Sequence, residues 1–284
     1  MFENTGLHSL TKKHAPQIFR NRVRSTIRSL GDVYAGIRGL NPNCALPDFL
    51  IVGAQKAGTT SLFNWLVESG FVQTPLFKEI GYFDSRWHWP IKYRGYFKTK
   101  QQDQLVGEAT PSYLAFPEVP ERVFDILGAN CKIVIVLRDP VDRAVSHYYH
   151  ECRLGFEKRE MYRAMSEADN LINEAFEENT SASRRRYILK HYSYIYRSEY
   201  SERLRPWFEK FDRTNISIIK SEDMFRKPRE TVGSVADFLG MKVTNPAQFI
   251  ARNTNSYVFE DSKVASYLRD RLESETIKYE EWNY

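Results

Sequence analysis

A run of four apolar residues, Phe49-Leu50-Ile51-Val52, leads directly into Gly53-Ala54-Gln55-Lys56-Ala57-Gly58-Thr59-Thr60-Ser61, and a helical pattern follows. Strand, glycine-bounded loop and helix is the arrangement that turns backbone N–H groups and the positive end of a helix dipole towards a phosphate. The interval from Gly53 to Gly58 equals that between the glycines of a Walker A loop, but the lysine is displaced. Walker A sets Lys directly after the second Gly. Here Thr59 holds that place and Lys56 sits inside the loop, where its ammonium serves a group nearer the loop than the far phosphates of a nucleoside triphosphate. Turn geometry alone accounts for Gly and Thr in a strand-to-helix connection, but not for a lysine after an all-apolar strand.

A second constellation lies further on. Ile133 to Leu137 reads as a buried strand that ends in Arg138; Asp139 is then a natural N-cap, with Pro140 at N1 and Asp142 at N3. Ser146 falls about two turns into that helix, one face-repeat after Arg143. A residue at the carboxyl end of a strand points to where α/β sheets bind ligands. The Arg138 guanidinium suits a phosphate dianion, and Ser146 adds a hydroxyl donor. The plainer alternative is a surface ion pair between Arg138 and Asp139.

The elements that must hold these residues follow from pattern. Strands are expected at Phe49 to Val52, Leu105 to Glu108, Lys132 to Leu137 and Ile216 to Ile219. Helical periodicity covers Thr60 to Ser69, Pro140 to Cys152, Tyr196 to Phe211 and Arg229 to Leu239. That alternation predicts an α/β fold, a P-loop-type central parallel β-sheet flanked by helices. Residues 48–284 are expected to form one such domain. Residues 1–47 read as a basic leader (Lys12, Lys13, Arg20, Arg22, Arg24, Arg28), partly disordered or helical, with the core beginning at Asp48. The charged stretch Glu157 to Arg186 reads as a helical insertion or mobile cover, with Arg184, Arg185 and Arg186 exposed.

At 284 residues, 42% hydrophobic and 27% charged, the chain is of a globular kind with a sizeable core. A net charge of +5 is modest for a nucleic-acid binder, so no nucleic-acid partner is expected, and the balance suits anionic small molecules or glycans. Cys44, Cys131 and Cys152 lack metal-ligand spacing and read as free thiols in a reducing compartment. No apolar run approaches the ~20 residues of a membrane-spanning helix, and the basic N-terminus has no apolar signal core. A cytoplasmic location is therefore expected. The basic N-terminus has two readings: a solvated leader, or an amphipathic helix in weak contact with an anionic membrane surface.

The string Gly53 to Leu62 resembles the 5'-phosphosulfate loop of sulfotransferases that use 3'-phosphoadenosine 5'-phosphosulfate (PAPS), closest to the heparan sulfate sulfotransferase branch and its bacterial relatives. Ile133 to Tyr148 is similar to the family's 3'-phosphate motif. The resemblance implies sulfuryl transfer from PAPS to an acceptor hydroxyl or amine, with release of PAP and no required metal. It implies that Ala57, Gly58, Thr59, Thr60 and Ser61 bind the 5'-phosphate, that Lys56 stabilises charge on the bridging oxygen, and that Arg138 and Ser146 grip the 3'-phosphate. In that branch a Lys-Glu pair after the first helix supplies the catalytic base. Here it is Lys78-Glu79 within Phe77 to Asp84, so Glu79 is the implied base, with Lys78 and Asp84 near cofactor or acceptor.

Gly107 to Leu114 is also similar to a family string, giving Thr110, Ser112 and Tyr113 a place in the cleft or in a turn. Tyr194 to Trp207 looks like a further family segment, with Ser198 where Gly is usual and Tyr200, Leu204 and Trp207 on one core-facing side. Ile80-Gly81 replaces a common Pro-His, which loosens any inference about the acceptor. A glycan or glycoconjugate leads, with Trp87, Trp89, Tyr93 and Tyr96 as sugar-stacking rings or core. Arg252 to Asn255 occupies the region of a string that finishes the nucleotide site in secreted members, with Arg252 and Lys263 each read as a substitute or as an ordinary surface residue, and a last amphipathic helix is expected to run on past Trp282-Asn283-Tyr284.

Two rivals remain. A small-metabolite P-loop kinase using ATP and magnesium needs Lys after Gly58 and an acidic Walker B partner, for which Glu108 is the one plausible residue at a strand end. A non-catalytic nucleotide- or glycan-binding relative would turn Glu79 away from the cleft.

Overall fold

Strand β1 (Phe49–Gly53) is buried at every residue, as befits a central strand of a sheet covered on both faces. The computed structural model describes residues 17–85, 90–99, 104–243, 248–251 and 262–281. Its five strands are all parallel. Beside β1 stand β2 (Val72–Gln73), β3 (Leu105–Ala109), β4 (Lys132–Leu137) and β5 (Ile216–Lys220), in the order β2-β3-β1-β4-β5. The register sets Phe49 against Gly107 on one side and Ile51 against Val134 on the other. The chain first winds to one side of β1 and then crosses to the other, so the winding reverses between β1 and β4. That is where α/β sheets open a ligand crevice.

The helices in chain order are α1 (Gln17–Arg38), α2 (Thr59–Glu68), α3 (Pro90–Gly95), α4 (Val119–Leu127), α5 (Pro140–Leu154), α6 (Met161–Ser166), α7 (Ala168–Phe176), α8 (Ala182–His191), α9 (Tyr200–Lys210), α10 (Ser221–Arg226), α11 (Pro228–Phe238) and α12 (Ser262–Glu281). The four strands expected from sequence are present. β2 went unforeseen because two residues carry no periodicity. The α/β class with a parallel sheet flanked by helices is as the pattern predicts.

Helix α5 starts as its sequence dictates. The Asp139 carboxylate accepts a hydrogen bond of 2.8 Å from the Asp142 N–H, Pro140 occupies the first turn, and Gly155 closes the helix in the left-handed region at φ 80. The single helix expected over Tyr196 to Phe211 is instead a 3-10 turn at Tyr196–Ser198 followed by α9. Ser198 is the pinning point: its hydroxyl donates to the Pro140 carbonyl (2.7 Å) and accepts from Arg143 Nε (2.7 Å). Tyr200, Leu204 and Trp207 are buried on one face of α9, as expected.

Two outer segments take firm positions. The stretch 157–186 forms α6, α7 and the start of α8, and Ala164, Met165 and Ala168 join a second apolar cluster with Tyr194 and with Val264, Leu268 and Leu272 of α12. Arg184 is exposed, but Arg185 and Arg186 are half-buried, because Glu118 (2.9 Å) and Asp84 (3.0 Å) hold them against the domain. Within the basic leader, α1 lies on α3 at Ala35, which is fully buried. A Cβ on Gly95 would sit 1.7 Å from the Ala35 carbonyl oxygen, so only glycine permits this approach of the two backbones. Cys44 and Cys131 are buried and Cys152 half-buried, all three as free thiols.

Removing the Asp139 cap has a defined cost. Asp139→Ala is expected to lower the unfolding free energy in chemical denaturation by about 1 kcal/mol, while Asp139→Asn, which keeps an accepting oxygen, retains most of it. Equal stability of wild type and the Ala variant would remove the cap from this account.

Candidate active site

The loop after β1 is built for close approach. Lys56 and Gly58 both lie in the left-handed region, at φ 75 and 99. Gly58 is the N-cap of α2 and brings no side chain to cap it. A Cβ there would meet Met224 at 2.6 Å and Phe225 at 2.9 Å, so the loop lies flat against α10. The Ala57 N–H turns back to the Ala54 carbonyl (3.1 Å), and the first internal bond of α2 runs from the Leu62 N–H to the Gly58 carbonyl (3.1 Å). Lys56, Gly58 and Thr60 are half-buried; Ala57, Thr59 and Ser61 are buried.

The charges around Lys56 identify its neighbours. Burial first, then the positive charges of Arg153 and Arg138, lower its pKa from 10.5 to about 8, with Glu151 and Glu79 opposing them. The loop, the end of β4 and the Lys-Glu segment thus share one field. Arg138 is fixed by Tyr200, whose hydroxyl donates to its carbonyl (2.8 Å) and accepts from its N–H (3.4 Å). Its guanidinium pairs with Asp142 (3.2 Å), not with Asp139, whose carboxylate is used by the helix cap. Ser146 is buried on α5.

His150 and Arg153 follow Ser146 at i+4 and i+7 on the same helix face. Burial and the Lys56 charge push His150 down to about 4. Sequence reasoning stopped at Ser146, although counting on by the helical repeat reaches both residues.

Beyond the carboxyl ends of β1 and β3 lies a cleft of about 500 Å³, and Glu79, Thr110 and Ser112 line it. The Glu79 side chain is 57% exposed, and its carboxylate sits 3.0 Å from Lys78 Nζ. Its backbone is held more firmly than its head. Arg28 of α1 donates to the carbonyls of Glu79 (2.7 Å) and Ile80, the Gly81 N–H donates to Thr110 Oγ1 (3.3 Å), and the Tyr82 N–H to the Tyr113 hydroxyl (2.9 Å).

Under this segment Glu108 is fully buried. It accepts from the hydroxyls of Tyr93 (2.7 Å), Thr110 (2.9 Å) and Tyr113 (3.0 Å), and from the Ile80 N–H. Burial raises its pKa from 4.5 to about 7, against those four donors. A carboxylate committed in this way is not a metal-holding acid at the strand end, which removes the Walker B partner that a kinase would need.

Other expected residues sort into wall and core. Asp84 borders the cleft, with Ser112 (2.6 Å) and Arg186 (3.0 Å) on its two oxygens. Tyr93 and Tyr113 are core, and the Tyr96 hydroxyl is bound by Asp32. Trp87, Trp89 and Arg252 to Asn255 lie outside the described residues; Lys263 is exposed, its ammonium 3.9 Å over the Tyr162 ring. Arg197 was not foreseen. Its buried guanidinium donates to Gln55 Oε1 of the loop, to the Leu189 carbonyl (2.8 and 3.1 Å) and to Ser193 (2.9 Å), and it reaches the cleft wall. Nothing in its sequence surroundings separates it from an ordinary surface arginine.

A family model of the sulfotransferase domain matches residues 46–284. The membrane-associated sulfotransferase kil1 of Dictyostelium discoideum is 25% identical over 297 residues, covering 78% of this chain and 62% of that protein. The heparan sulfate glucosamine 3-O-sulfotransferase 3A1 of Mus musculus is 28% identical over 199 residues, covering 69% of this chain and 46% of that protein. The chain thus spans less than two thirds of either relative. Among solved structures, the sulfotransferase from Alicyclobacillus acidocaldarius superposes with a TM-score of 0.66 at 22% identity, over 84% of this chain and 98% of that one, a likeness of fold.

The buried carboxyl gives the site a pH signature. Glu108 is raised in the folded chain, so its contribution to stability is full below 4.5 and lost as pH rises through about 7. The unfolding free energy is expected to decline over that window, and Glu108→Gln to flatten the decline. Glu108→Ala, which strands three hydroxyls at about 1–3 kcal/mol each, should destabilise strongly even at low pH. An unchanged slope in the Gln variant, measured by denaturation across pH, would clear Glu108 of the effect.

Proposed function

Because the chain belongs to the sulfotransferase family, we propose that it moves a sulfuryl group from PAPS to a hydroxyl or amine of an acceptor, with a glycan or glycoconjugate as the acceptor class. The observation that carries this reading is the cationic loop. Lys56 is half-buried beside Arg138 and Arg153, at the start of a helix that no side chain caps. A cluster of cations at a helix N-terminus favours an anion there. That fit supports a phosphate-bearing nucleotide, and PAPS, when bound, supplies the sulfuryl group.

The roles assigned to this chain's residues follow from their places. Ala57, Gly58, Thr59, Thr60 and Ser61 bind the 5'-phosphate through the loop and the first turn of α2. Arg138, just past the end of β4, and Ser146 on α5, across the crevice, bind the 3'-phosphate. Lys56 holds positive charge where negative charge grows on the leaving side. Glu79, held by its backbone with an accessible carboxylate, takes the acceptor proton. Sulfuryl transfer asks mainly for positioning and charge stabilisation, as phosphoryl transfer does.

The glycan class is supported by the heparan sulfate relative and by the charged and polar side chains that line the cleft, among them Asp32, Gln55, Glu79 and Asp84. Residues 48–284 are read as one catalytic domain with α1 docked upon it. Among the described residues no helix is long and apolar enough to cross a membrane. Three unpaired thiols support a reducing, cytoplasmic setting.

Lys56→Ala and Glu79→Ala are each expected to lower kcat by ~10²–10³-fold. Arg138→Ala should instead weaken PAPS binding by ~10–100-fold with a smaller change in kcat. Near-normal kcat in both of the first two variants defeats the mechanism. Calorimetric titration in EDTA separates the rival: metal-free PAP binding with little ADP binding supports the reading, whereas ADP binding restored by magnesium transfers it to a kinase.

The Lys56 ammonium also predicts a pH profile. With a pKa near 8 in the free protein, kcat/KM should fall as pH rises through about 8. Lys56→Arg should move that falling limb to higher pH. A limb that stays in place belongs to another group.

A further inference from the structure

Helix α1 is amphipathic in the opposite sense to an ordinary surface helix. Among its described side chains, the charged residues Arg28, Asp32 and Arg38 turn towards the domain. Arg28 binds the carbonyls of Glu79 and Ile80, Asp32 accepts from the Tyr96 hydroxyl and pairs with Lys92 (3.4 Å), and Arg38 binds the Phe97 carbonyl. Gly31 and Ala35 are buried on the same side. The opposite side presents Leu30, Val33, Tyr34 and Ile37, at i, i+3, i+4 and i+7, with exposures of 67, 63, 51 and 67%. Ile27 and Leu40 extend the stripe at either end. From Ser25 to Ile37 the exposed residues are all uncharged.

Charge gathers instead towards the N-terminal end. In the sequence from Asn4 to Gly31 there are Lys12, Lys13, Arg20, Arg22, Arg24 and Arg28, and no Asp or Glu. An apolar stripe continuing a polybasic segment is the pattern of a helix lying in the plane of a bilayer surface. The stripe sits at the acyl boundary and the cations meet anionic headgroups. Parallel packing of two copies through this stripe would bring their basic segments together, which disfavours that pairing.

We propose that α1 docks the protein on anionic lipid bilayers through Leu30, Val33, Tyr34 and Ile37, assisted by the basic segment before them. The proposal stands independently of the reaction. It also places the lipid near the cleft: Arg28 and Asp32, on the inner face of α1, line the cleft wall, and a helix is only ~10 Å across.

Flotation of the full chain with unilamellar vesicles tests it. Vesicles of phosphatidylcholine with about 30 mol % phosphatidylglycerol should carry the protein at ~0.1 M salt. Binding should fall at least about tenfold with phosphatidylcholine alone or at ~0.5 M salt. Leu30→Ser/Ile37→Ser should lose at least about tenfold with an unchanged unfolding temperature. Arg22→Gln/Arg24→Gln, which leaves the stripe intact, should weaken binding to anionic vesicles alone. Wild type that does not float at low salt overturns the proposal, as does a double Ser variant that floats equally well. So does light scattering that shows a dimer which the Ser substitutions dissociate, since the stripe is then an interface between copies.

Discussion

The buried carboxylate of Glu108 is the interaction on which this site's geometry depends. A lone carboxyl at the end of a central strand, out of contact with water, is tolerable only if its oxygens are satisfied. Three hydroxyls and a backbone N–H satisfy them here. Those donors come from different parts of the chain: Tyr93 from α3, Thr110 and Tyr113 from just beyond β3, and Ile80 from the segment that carries Glu79. One internal acceptor therefore gathers the wall of the cleft. The same Thr110 and Tyr113 hydroxyls also accept from the N–H groups of Gly81 and Tyr82, so the network fixes the backbone of the segment while leaving the Glu79 carboxylate exposed at the cleft, beside Lys78.

Around the loop after β1 the opposite principle holds. There the chain gathers cations and supplies few anions. Arg138 and Arg153 both act on Lys56, and the buried guanidiniums of Arg143 and Arg197 are satisfied largely by carbonyls and hydroxyls. Arg197 ties the two halves together, since it holds Gln55 of the phosphate loop and stands in the cleft wall. Mutual repulsion of this kind costs stability in the free protein and makes a polyanion a stronger ligand.

Much of this was legible in the sequence wherever local rules decide the outcome. The apolar runs of β1 and β4 can only be central strands. The cap at Asp139 is specified by three residues, and the glycines of the loop have φ values or contacts that exclude a side chain. What escaped depends on distance in space. Glu108 read as a strand-end acid because nothing in the sequence shows Tyr93 and Tyr113 closing over it. Arg197 and the ion pairs of Arg185 and Arg186 are set by tertiary contact with Gln55, Glu118 and Asp84. Of the two readings open for Tyr93, sugar platform or core, the structure takes the second, with its ring stacked on Tyr82 at 4.3 Å.

Helix α12 carries a consequence for the order of synthesis. Val264, Leu268 and Leu272 pack with Ala144, Val145 and Tyr148 of α5, the helix that bears Ser146, His150 and Arg153. Tyr279 binds Glu222, which in turn accepts from the Asp139 N–H at the start of α5. Both supports are translated after everything they hold. The growing chain can assemble its sheet and the loop after β1 before α12 is made, whereas the outer side of α5, and with it the wall that carries Ser146, His150 and Arg153, stays unbraced until α12 follows it out of the ribosome.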